Sequence, residues 1–171
     1  MHMIATLRAL SEADIEPVMA VGRRIWVSHY VPILGQAQVD YMVGMRFTAD
    51  YLRRYLDAPD RWLDVLWLGG EPVGYCAYAL TASPDELKLE QLYLLPELHG
   101  RGLGGQMLRH VTERAASLGS RTMMLQVNKQ NTGSLGLYKK MGFAVREEAV
   151  FDIGHGFVMD DFIMEKWLAS P

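Results

Sequence analysis

Cysteine and long apolar runs are the scarcest features of this 171-residue chain. A lone Cys76 excludes an internal disulfide, and a thiolate zinc site needs several cysteines. The longest stretch without Asp, Glu, Lys or Arg runs from Ile25 to Val39, shorter than the roughly 18 apolar residues of a membrane-spanning helix. No basic region followed by an apolar core opens the sequence, so no secretory signal is predicted. We therefore expect a cytoplasmic protein without a membrane partner, folded as one domain over residues 1–171.

The formal net charge of −3 argues against a general nucleic-acid partner, but the charge is unevenly distributed. Residues 96–142 contain seven basic and two acidic residues, a net charge of +5, so the remainder of the chain carries −8. Ordinary solvated helix faces can produce such a basic segment. It also fits an anionic ligand, with an acidic remainder that attracts a cation.

Hydrophobic periodicity and turn residues predict the order strand, two helices, three strands, helix, strand, helix, two strands. This order indicates an α/β or α+β domain with a mixed sheet. Ser11 is the predicted cap of the first helix, with Asp14 as its capping-box partner, and Pro32 with Gly35 is predicted to end it. The later helices are predicted at 36–56, 102–118 and 132–141. The strands are predicted at 3–9, 62–68, 72–81, 87–95 and 122–128, with two more flanking residues 154–156.

The strongest motif is a glycine-rich turn between the strand at 87–95 and the helix at 102–118. It has glycine at positions 100, 102, 104 and 105, more than a purely structural helix start needs. Such a turn aims several backbone N–H groups at one point near a helix N-terminus, where negative charge is favoured. Glycine also lets the backbone approach a phosphate closely. The motif therefore predicts an anion-binding loop.

The same turn satisfies GxGxxG, the dinucleotide-binding fingerprint. That fingerprint requires an Asp or Glu about 20 residues further on, at the end of the next strand. The strand at 122–128 contains no acidic residue, and the turn lies past the middle of the chain. No GxxxxGK[ST] stretch occurs either. A dinucleotide-binding domain and a nucleoside triphosphatase are therefore both disfavoured.

The segment from His99 to Gly104 resembles the R/Q-x-x-G-x-G/A pyrophosphate loop of the GNAT (general N-acetyltransferase) superfamily, with His99 in place of Gln or Arg. Residues 128–143 look like the N-x-x-N…LYxKxGF segment of the same superfamily. The two blocks occur in the family's order, and the resemblance extends from Ile4 to Trp167. It implies the GNAT fold, a mixed six- to seven-stranded sheet flanked by about four helices and splayed between its fourth and fifth strands.

The resemblance also implies that acetyl-CoA lies in the gap between the strands at 87–95 and 122–128. No metal is expected, because His99, His110 and His155 lack metal-ligand spacing. The strand at 87–95 would pair with the pantetheine amides, and the amides of the loop would hold the pyrophosphate. The outer phosphates would meet one or more of Arg101, Lys129, Lys139 and Lys140, which would explain the basic segment. The implied cofactor-binding residues are Leu92, Tyr93, Leu94, His99, Gly100, Arg101, Gly102, Leu103, Gly104, Gly105, Asn131 and Tyr138.

For catalysis, Tyr138 matches the family's general acid, because an amine that attacks the thioester expels a thiolate that a nearby phenol can protonate. Many members carry a proton-accepting Glu on the fifth strand, where this chain has Gln126. Glu90 on the preceding strand is therefore the candidate base, directly or through water. The alternatives are a packing role for Tyr138 and an ion pair with Lys88, or a solvated edge position, for Glu90. Cys76 lacks a neighbouring His and is expected to be a core residue.

The acceptor site is expected between the first two helices and the last hairpin, with walls at Trp26, His29, Tyr30 and the pair Asp160-Asp161. Trp26 also fits the core stripe, and the aspartates also fit ordinary surface. The acidic remainder suits a small cationic amine, such as a polyamine or an aminoglycoside. Residues 154–164 look most like bacterial polyamine-type and uncharacterised small-molecule acetyltransferases. A non-catalytic acyl-CoA sensor and a protein or peptide acetyltransferase stay open as alternatives, as does a homodimer.

Overall fold

A seven-stranded mixed sheet organises the fold in the computed structural model, which describes residues 3–168. The strand order is β1-β2-β3-β4-β5-β7-β6, and every neighbouring pair is antiparallel except the parallel pair of β4 and β5. The predicted mixed α/β architecture is confirmed. The strands are β1 (Thr6–Ala9), β2 (Arg61–Leu68), β3 (Glu71–Leu80), β4 (Glu86–Leu94), β5 (Thr122–Asn128), β6 (Ala144–Gly154) and β7 (Phe157–Trp167).

Five α-helices connect these strands, one more than the resemblance implied, and short 3-10 turns occupy Glu12–Asp14 and Pro96–Leu98. Among residues 3–168, none of the helices has both the length and the apolar character that crossing a bilayer requires. The helices are α1 (Ile15–Leu34), α2 (Gln36–Arg46), α3 (Ala49–Arg53), α4 (Leu103–Ser117) and α5 (Thr132–Lys140).

The predicted helix over 36–56 is two helices, α2 and α3, because a buried side chain interrupts it. The ring of Phe47 packs against Gly22 of α1, where the Cβ of any other residue would collide with it. Thr48 then begins α3, since its Oγ1 accepts a hydrogen bond from the N–H of Tyr51 at 3.1 Å. The turn at Phe47 therefore fixes α2 against α1.

The first helix also departs from its predicted end. Pro32 lies inside α1 and does not terminate it. The helix ends at Gly35, whose φ of 84° lies in the left-handed region that glycine tolerates, and its N–H donates to the carbonyl of Val31 at 2.9 Å. α1 therefore runs past the sheet for one further turn and brings its last residues to the edge of the gap described below.

β4 and β5 pair over a short stretch and then separate. The parallel ladder joins Glu86–Leu89 to Thr122–Leu125, and within the described chain it stops there. β4 carries a bulge at Glu90, the residue left over when Gln91 and Leu89 pair with consecutive residues of β3. A bulge bends its strand and increases the local twist. The expected gap between the fourth and fifth strands is therefore present.

The middle of β3 is buried on both faces because helices cover both sides of the sheet. Tyr75 packs edge-on against Tyr93, which in turn contacts Trp26 of α1. Cys76 points to the opposite face, toward α4, and is fully buried. Burial raises the pKa of its thiol well above the usual value, so the thiolate is disfavoured. These surroundings are those of a core residue rather than a nucleophile.

Candidate active site

Two cavities adjoin the gap between β4 and β5. The hairpin cavity, of about 190 Å³, is lined by α1–α3, β4, β5, α5 and the β6–β7 hairpin. The loop cavity, of about 390 Å³, lies between the end of β4, the glycine turn, α4 and α5. Leu92 and Ser134 line both cavities, so the two are neighbours. Together they form a continuous concave region across the splayed strands.

The loop cavity contains an array of backbone N–H groups. Gly100 and Gly102 have φ values of 78° and 79°, and no atom lies within 4 Å of where a Cβ would stand on either. Helical hydrogen bonding in α4 begins when Gln106 donates to the carbonyl of Gly102 at 3.0 Å. The N–H groups of residues 103–105 come before Gln106 in the chain, so they make no hydrogen bond within the helix and need other partners. A phosphate fits this arrangement.

The twelve residues expected at the cofactor do not all reach these cavities. Arg101 is exposed and Leu103 begins α4, and both lie outside the two linings. Tyr93, Asn131 and Tyr138 line the hairpin cavity. Seven of the twelve expected residues line the loop cavity, namely Leu92, Leu94, His99, Gly100, Gly102, Gly104 and Gly105.

Among the four candidates for the outer phosphates, Lys140 lines the loop cavity. Lys129 is instead held by two carboxylates, with its Nζ 2.8 Å from Asp160 and 3.1 Å from Glu148. Arg101 and Lys139 lie outside the lining of the loop cavity. The structure therefore favours Lys140 as the cation next to the glycine turn.

His99 stands where the family motif has Gln or Arg, and its side chain holds the turn in place. Its Nε2 lies 3.1 Å from the carbonyl oxygen of Leu94 and therefore donates a hydrogen bond to it. This bond fixes the start of the turn to the end of β4. The ring of His29, from α1, lies 6.1 Å from the ring of His99 and lines the same cavity.

Asn131 connects α5 to α1 and is only 3% exposed. Its Oδ1 accepts hydrogen bonds from the N–H of Ser134 at 3.4 Å and from Nε2 of His29 at 3.1 Å. Its Nδ2 donates to the hydroxyl of Tyr30 at 3.3 Å. The side chain therefore caps α5 and at the same time holds the end of α1 beside it.

Tyr138 lies on α5 and lines the hairpin cavity, with its ring 5.9 Å from that of Phe143. It is 7% exposed. Burial, together with the neighbouring phenol of Tyr93, raises the pKa of the Tyr138 hydroxyl above its usual value. The group is therefore a protonated phenol at neutral pH and can donate a proton.

Glu90 and Gln91 line the hairpin cavity from the bulge of β4. Oε1 of Glu90 accepts a hydrogen bond from the Tyr55 hydroxyl at 3.2 Å, and among the described residues no ion pair joins Glu90 to Lys88. Nε2 of Gln91 donates to the hydroxyl of Tyr51 at 3.3 Å. Oε1 of Gln91 is buried and has no donor within the described residues.

Three of the five residues expected as acceptor walls line the hairpin cavity: Asp161 and the pair Trp26 and Tyr30, whose ring centroids lie 4.2 Å apart. His29 lies at the loop cavity instead. Asp160 lies outside both linings, because its side chain is exposed and paired with Lys129. Its neighbour Asp161 lines the hairpin cavity, since successive side chains in a strand point to opposite faces. Of the expected pair, Asp161 is therefore a cavity wall, and the expectation for Asp160 is wrong.

A family model for the acetyltransferase (GNAT) family matches residues 28–143, which include both the glycine turn and the block at 128–143. This chain belongs to the GNAT acetyltransferase family. No group of three or more His, Cys, Asp or Glu side chains within residues 3–168 is arranged to hold a metal ion.

The proteins similar to this one align with nearly its whole length. It is 26% identical to an uncharacterized N-acetyltransferase of Mycobacterium tuberculosis, over 91% of this chain and 98% of that protein. It is also 26% identical to the spermidine N(1)-acetyltransferase of Thermoplasma acidophilum, over 96% of this chain and 98% of that protein. The crystal structure of the PaiA N-acetyltransferase from Thermoplasma acidophilum in complex with coenzyme A superposes with a TM-score of 0.82. The sequence identity is 24%, with 96% of this chain and 99% of that chain covered.

Several residues of this GNAT site were not expected from the sequence. Arg46 of α2 and Lys88 of β4 line the hairpin cavity, as do apolar side chains of the hairpin. The alternation of side chains between the two faces of β6 and β7 was the sequence signal that could have identified these apolar residues. Two register shifts in β6, at 145–147 and 152–154, change its phase, so alternation alone did not identify the inward face. The apolar residues are Phe151, Ile153 and Met159.

Asp161 is the most unusual carboxylate of this GNAT site. It is 5% exposed, and among the described residues its Oδ1 is buried without a hydrogen-bond donor. Burial raises the pKa of its carboxyl group to about 6, although the positive charges of Arg46 and Lys88 oppose this rise. The group is therefore mostly ionised at pH 7 and available to a cationic ligand.

Proposed function

We propose that this GNAT protein transfers the acetyl group of acetyl-CoA to a primary amine by direct attack, and that the acceptor is a small cationic amine such as a polyamine. The observation that carries the proposal is the continuity of the two cavities. An array of backbone N–H groups adjoins, through Leu92 and Ser134, a cavity with a buried phenol and two carboxylates. The similarity to a spermidine N(1)-acetyltransferase supports the acceptor class.

The residues around the gap fit acetyl-CoA. The N–H groups of Leu103, Gly104 and Gly105 would hold the pyrophosphate at the N-terminus of α4. One edge of β4 pairs with β3, whereas the other edge, over residues 92–94, faces the gap where pairing with β5 has ended. The N–H and C=O groups of this edge, apart from the Leu94 carbonyl that His99 holds, are available to amides of the pantetheine arm. Lys140 would meet the negative charge at the loop cavity.

Acetyl-CoA supplies a thioester, whose acetyl carbon forms a bond to the amine nitrogen as its bond to sulfur breaks. Tyr138 would donate its phenolic proton to the departing thiolate, which its raised pKa permits because the phenol stays protonated at neutral pH. Glu90 would take the proton that the amine must lose, directly or through water, from its position at the bulge. Gln126, which also lines the cavity, has no basic group for this role.

The decisive experiment measures thiol release from acetyl-CoA in the presence of polyamines, aminoglycosides, amino acids and lysine peptides. We expect turnover with polyamines to exceed turnover with the other classes, and acetylated amine to form in equal amount to free CoA. Tight binding of CoA without turnover of any amine would overturn the proposal in favour of an acyl-CoA sensor. Faster turnover of a lysine peptide than of any small amine would overturn the acceptor class alone.

A further inference from the structure

Two buried acceptor atoms without donors lie in the hairpin cavity. They are Oδ1 of Asp161, on β7, and Oε1 of Gln91, on β4, and neither has a donor among the described residues. A buried acceptor without a donor loses its hydrogen bonds to water and gains none in return, so such atoms are uncommon in native proteins. Two of them on opposite sides of one cavity indicate a ligand that carries N–H donors at two positions.

The strand register separates these two positions. Glu90 and Gln91 lie where β4 and β5 part, level with Gln126, which follows the last paired residue of β5. Asp161 lies opposite Asn128, two residues beyond Gln126 and one strand further across the sheet. With a rise of about 3.3 Å per residue and strands about 4.8 Å apart, Asp161 stands about 8 Å from the apex of the gap. This backbone separation suits a second cationic group of an acceptor whose first amine lies beside Glu90.

Beyond Asp161, toward the tip of the hairpin, the cavity wall is apolar. Phe151 and Met159 face each other in the β6–β7 register, and Ala149 faces Asp161 two residues away on the same side of the hairpin. Phe151, Ile153 and Met159 all line the cavity, so the only carboxylate on this wall is flanked by hydrocarbon. Such a wall suits an alkyl chain that ends in a positively charged group.

We propose that Asp161 binds a second ammonium group of the acceptor, so that the enzyme selects diamines and longer polyamines over monoamines. The inference rests on the proposed function, because it assumes that a first amine reacts beside Glu90. The two N–H-bearing ends of the acceptor satisfy the buried acceptors on the two walls, and in a longer polyamine the methylene groups beyond the second ammonium contact Phe151 and Met159. Asp161 is thus a specificity-determining residue and takes no part in proton transfer to the base.

The charged groups around Asp161 lie on α2, on β4 and on the far side of the sheet. Arg46 and Lys88 act on it from α2 and β4, Lys129 and Asp160 from behind the sheet, and Glu90 completes the charged groups of the lining. The phenols of the lining are Tyr30, Tyr51, Tyr93 and Tyr138. Arg46 is held away from the carboxylate, since its guanidinium lies over the ring of Trp26 at 5.4 Å and its Nη1 is 3.5 Å from the Tyr93 hydroxyl. No ion pair within residues 3–168 includes Asp161, so its charge is available to the ligand.

The test uses three acceptors of one length: putrescine, n-butylamine and γ-aminobutyrate, which end in an ammonium, a methyl and a carboxylate group. We expect kcat/KM of the wild-type protein to be highest for putrescine. In Asp161→Asn we expect kcat/KM for putrescine to fall about 10- to 100-fold, mainly through KM, and that for n-butylamine to change less than threefold. Glu148→Gln removes an outward-facing carboxylate of the same hairpin and should leave all three values unchanged.

The pH dependence gives a second readout. Because the pKa of Asp161 lies at about 6, its carboxylate becomes neutral as the pH falls through 6. KM for putrescine should therefore rise below pH 6 relative to KM for n-butylamine, and Asp161→Asn should abolish this difference. Binding of CoA, followed by calorimetry, should be the same in wild type and variant.

Other outcomes separate the two proposals. An equal loss for putrescine and n-butylamine in Asp161→Asn would overturn the inference, because a group that acts in the chemistry affects both acceptors. A wild-type preference for γ-aminobutyrate would also overturn the inference, because Arg46 and Lys88 would then bind the carboxylate at the far end of the acceptor. This comparison does not depend on the folding of any variant. If wild type acetylates none of the amines, the proposed function fails, and this inference fails with it.

Discussion

His29 and Asn131 are 102 residues apart in the chain, and their side chains meet, with Nε2 of His29 3.1 Å from Oδ1 of Asn131. Because Oδ1 can only accept, His29 is the donor and carries its proton on Nε2. The contact fixes the last turns of α1 to the N-terminus of α5. Since α5 carries Tyr138, the position of the candidate acid depends on a bond made at the other end of the helix.

The first prediction concerns this connection. Asn131→Ala removes the cap of α5 and leaves the side chains of His29 and Tyr30 without their partner. We expect the free energy of unfolding in urea to fall by about 1–2 kcal/mol and kcat to fall with it. Asn131→Asp keeps an acceptor for Ser134 and His29 and should retain most of the stability. Equal stability of wild type and Asn131→Ala would contradict the assignment.

The second prediction concerns the proton donor. Tyr138→Phe removes the hydroxyl and leaves the buried ring and its packing on Phe143 in place. We expect kcat for thiol release to fall by about 100-fold or more, with little change in CoA affinity or melting temperature. Because burial raises the pKa of Tyr138, the wild-type rate should show no loss from its ionisation below pH 10. A variant as fast as wild type would assign Tyr138 to packing alone.

The third prediction separates the strain of the glycine turn from its binding role. Gly102→Ala and Gly119→Ala each place a methyl group on a residue with positive φ, 79° and 82°, at opposite ends of α4, where no neighbour lies within 4 Å. Both should therefore lower the free energy of unfolding by about 1–2 kcal/mol. Only Gly102→Ala alters the loop cavity, so only it should weaken CoA binding in calorimetry. Equal CoA affinity in the two variants would argue against a phosphate at this turn.

The fourth prediction concerns stability on the opposite face of the sheet. Asp64 accepts hydrogen bonds from Nε2 of His110 at 2.7 Å and from the Tyr78 hydroxyl at 2.6 Å. Burial alone would raise the pKa of Asp64, but these two bonds outweigh it and the pKa lies below its usual value. The carboxylate therefore stabilises the fold above its unfolded pKa of about 3.9, and this contribution is lost as the pH falls through the lower folded value.

Asp64→Asn should accordingly lower the free energy of unfolding at pH 7 by about 2 kcal/mol, with a smaller difference from wild type at pH 3. Urea unfolding at both pH values measures this. Asp85→Asn is the control, because that exposed carboxylate lies 3.9 Å from Arg121 and its loss should change stability by less than about 1 kcal/mol. A constant deficit for Asp64→Asn at both pH values would show that its charge is not responsible.

Much of the fold was predictable because it depends on local signals. The strand at 122–128 has its predicted bounds, and the helix predicted at 132–141 differs by one residue. The glycines at positions 100 and 102 predicted a turn before the helix, and the structure contains it, with positive φ at both residues. In each case the backbone conformation is set by residues within one or two turns of the feature.

The remaining features depend on distant contacts. The break between α2 and α3 requires Phe47 to reach Gly22, 25 residues earlier, and no local breaker announces it. Which of Asp160 and Asp161 faces the cavity depends on the strand register of β7 against β5 and β6, where bulges shift the phase. The orphaned oxygens of Gln91 and Asp161 become visible only when both walls of the cavity are present.

The two cavities differ in the wall that the last hairpin contributes. Apart from His29, the loop cavity is built by residues 92–140, whereas the wall that holds Phe151, Met159 and Asp161 belongs to the last hairpin. The family model covers residues 28–143 and ends one residue before that hairpin begins. Under the proposed function, substitutions in β6 and β7 would therefore alter the wall that meets the acceptor while the glycine turn stays as it is. Contact with the amine and contact with the phosphates would thus depend on separate stretches of the chain.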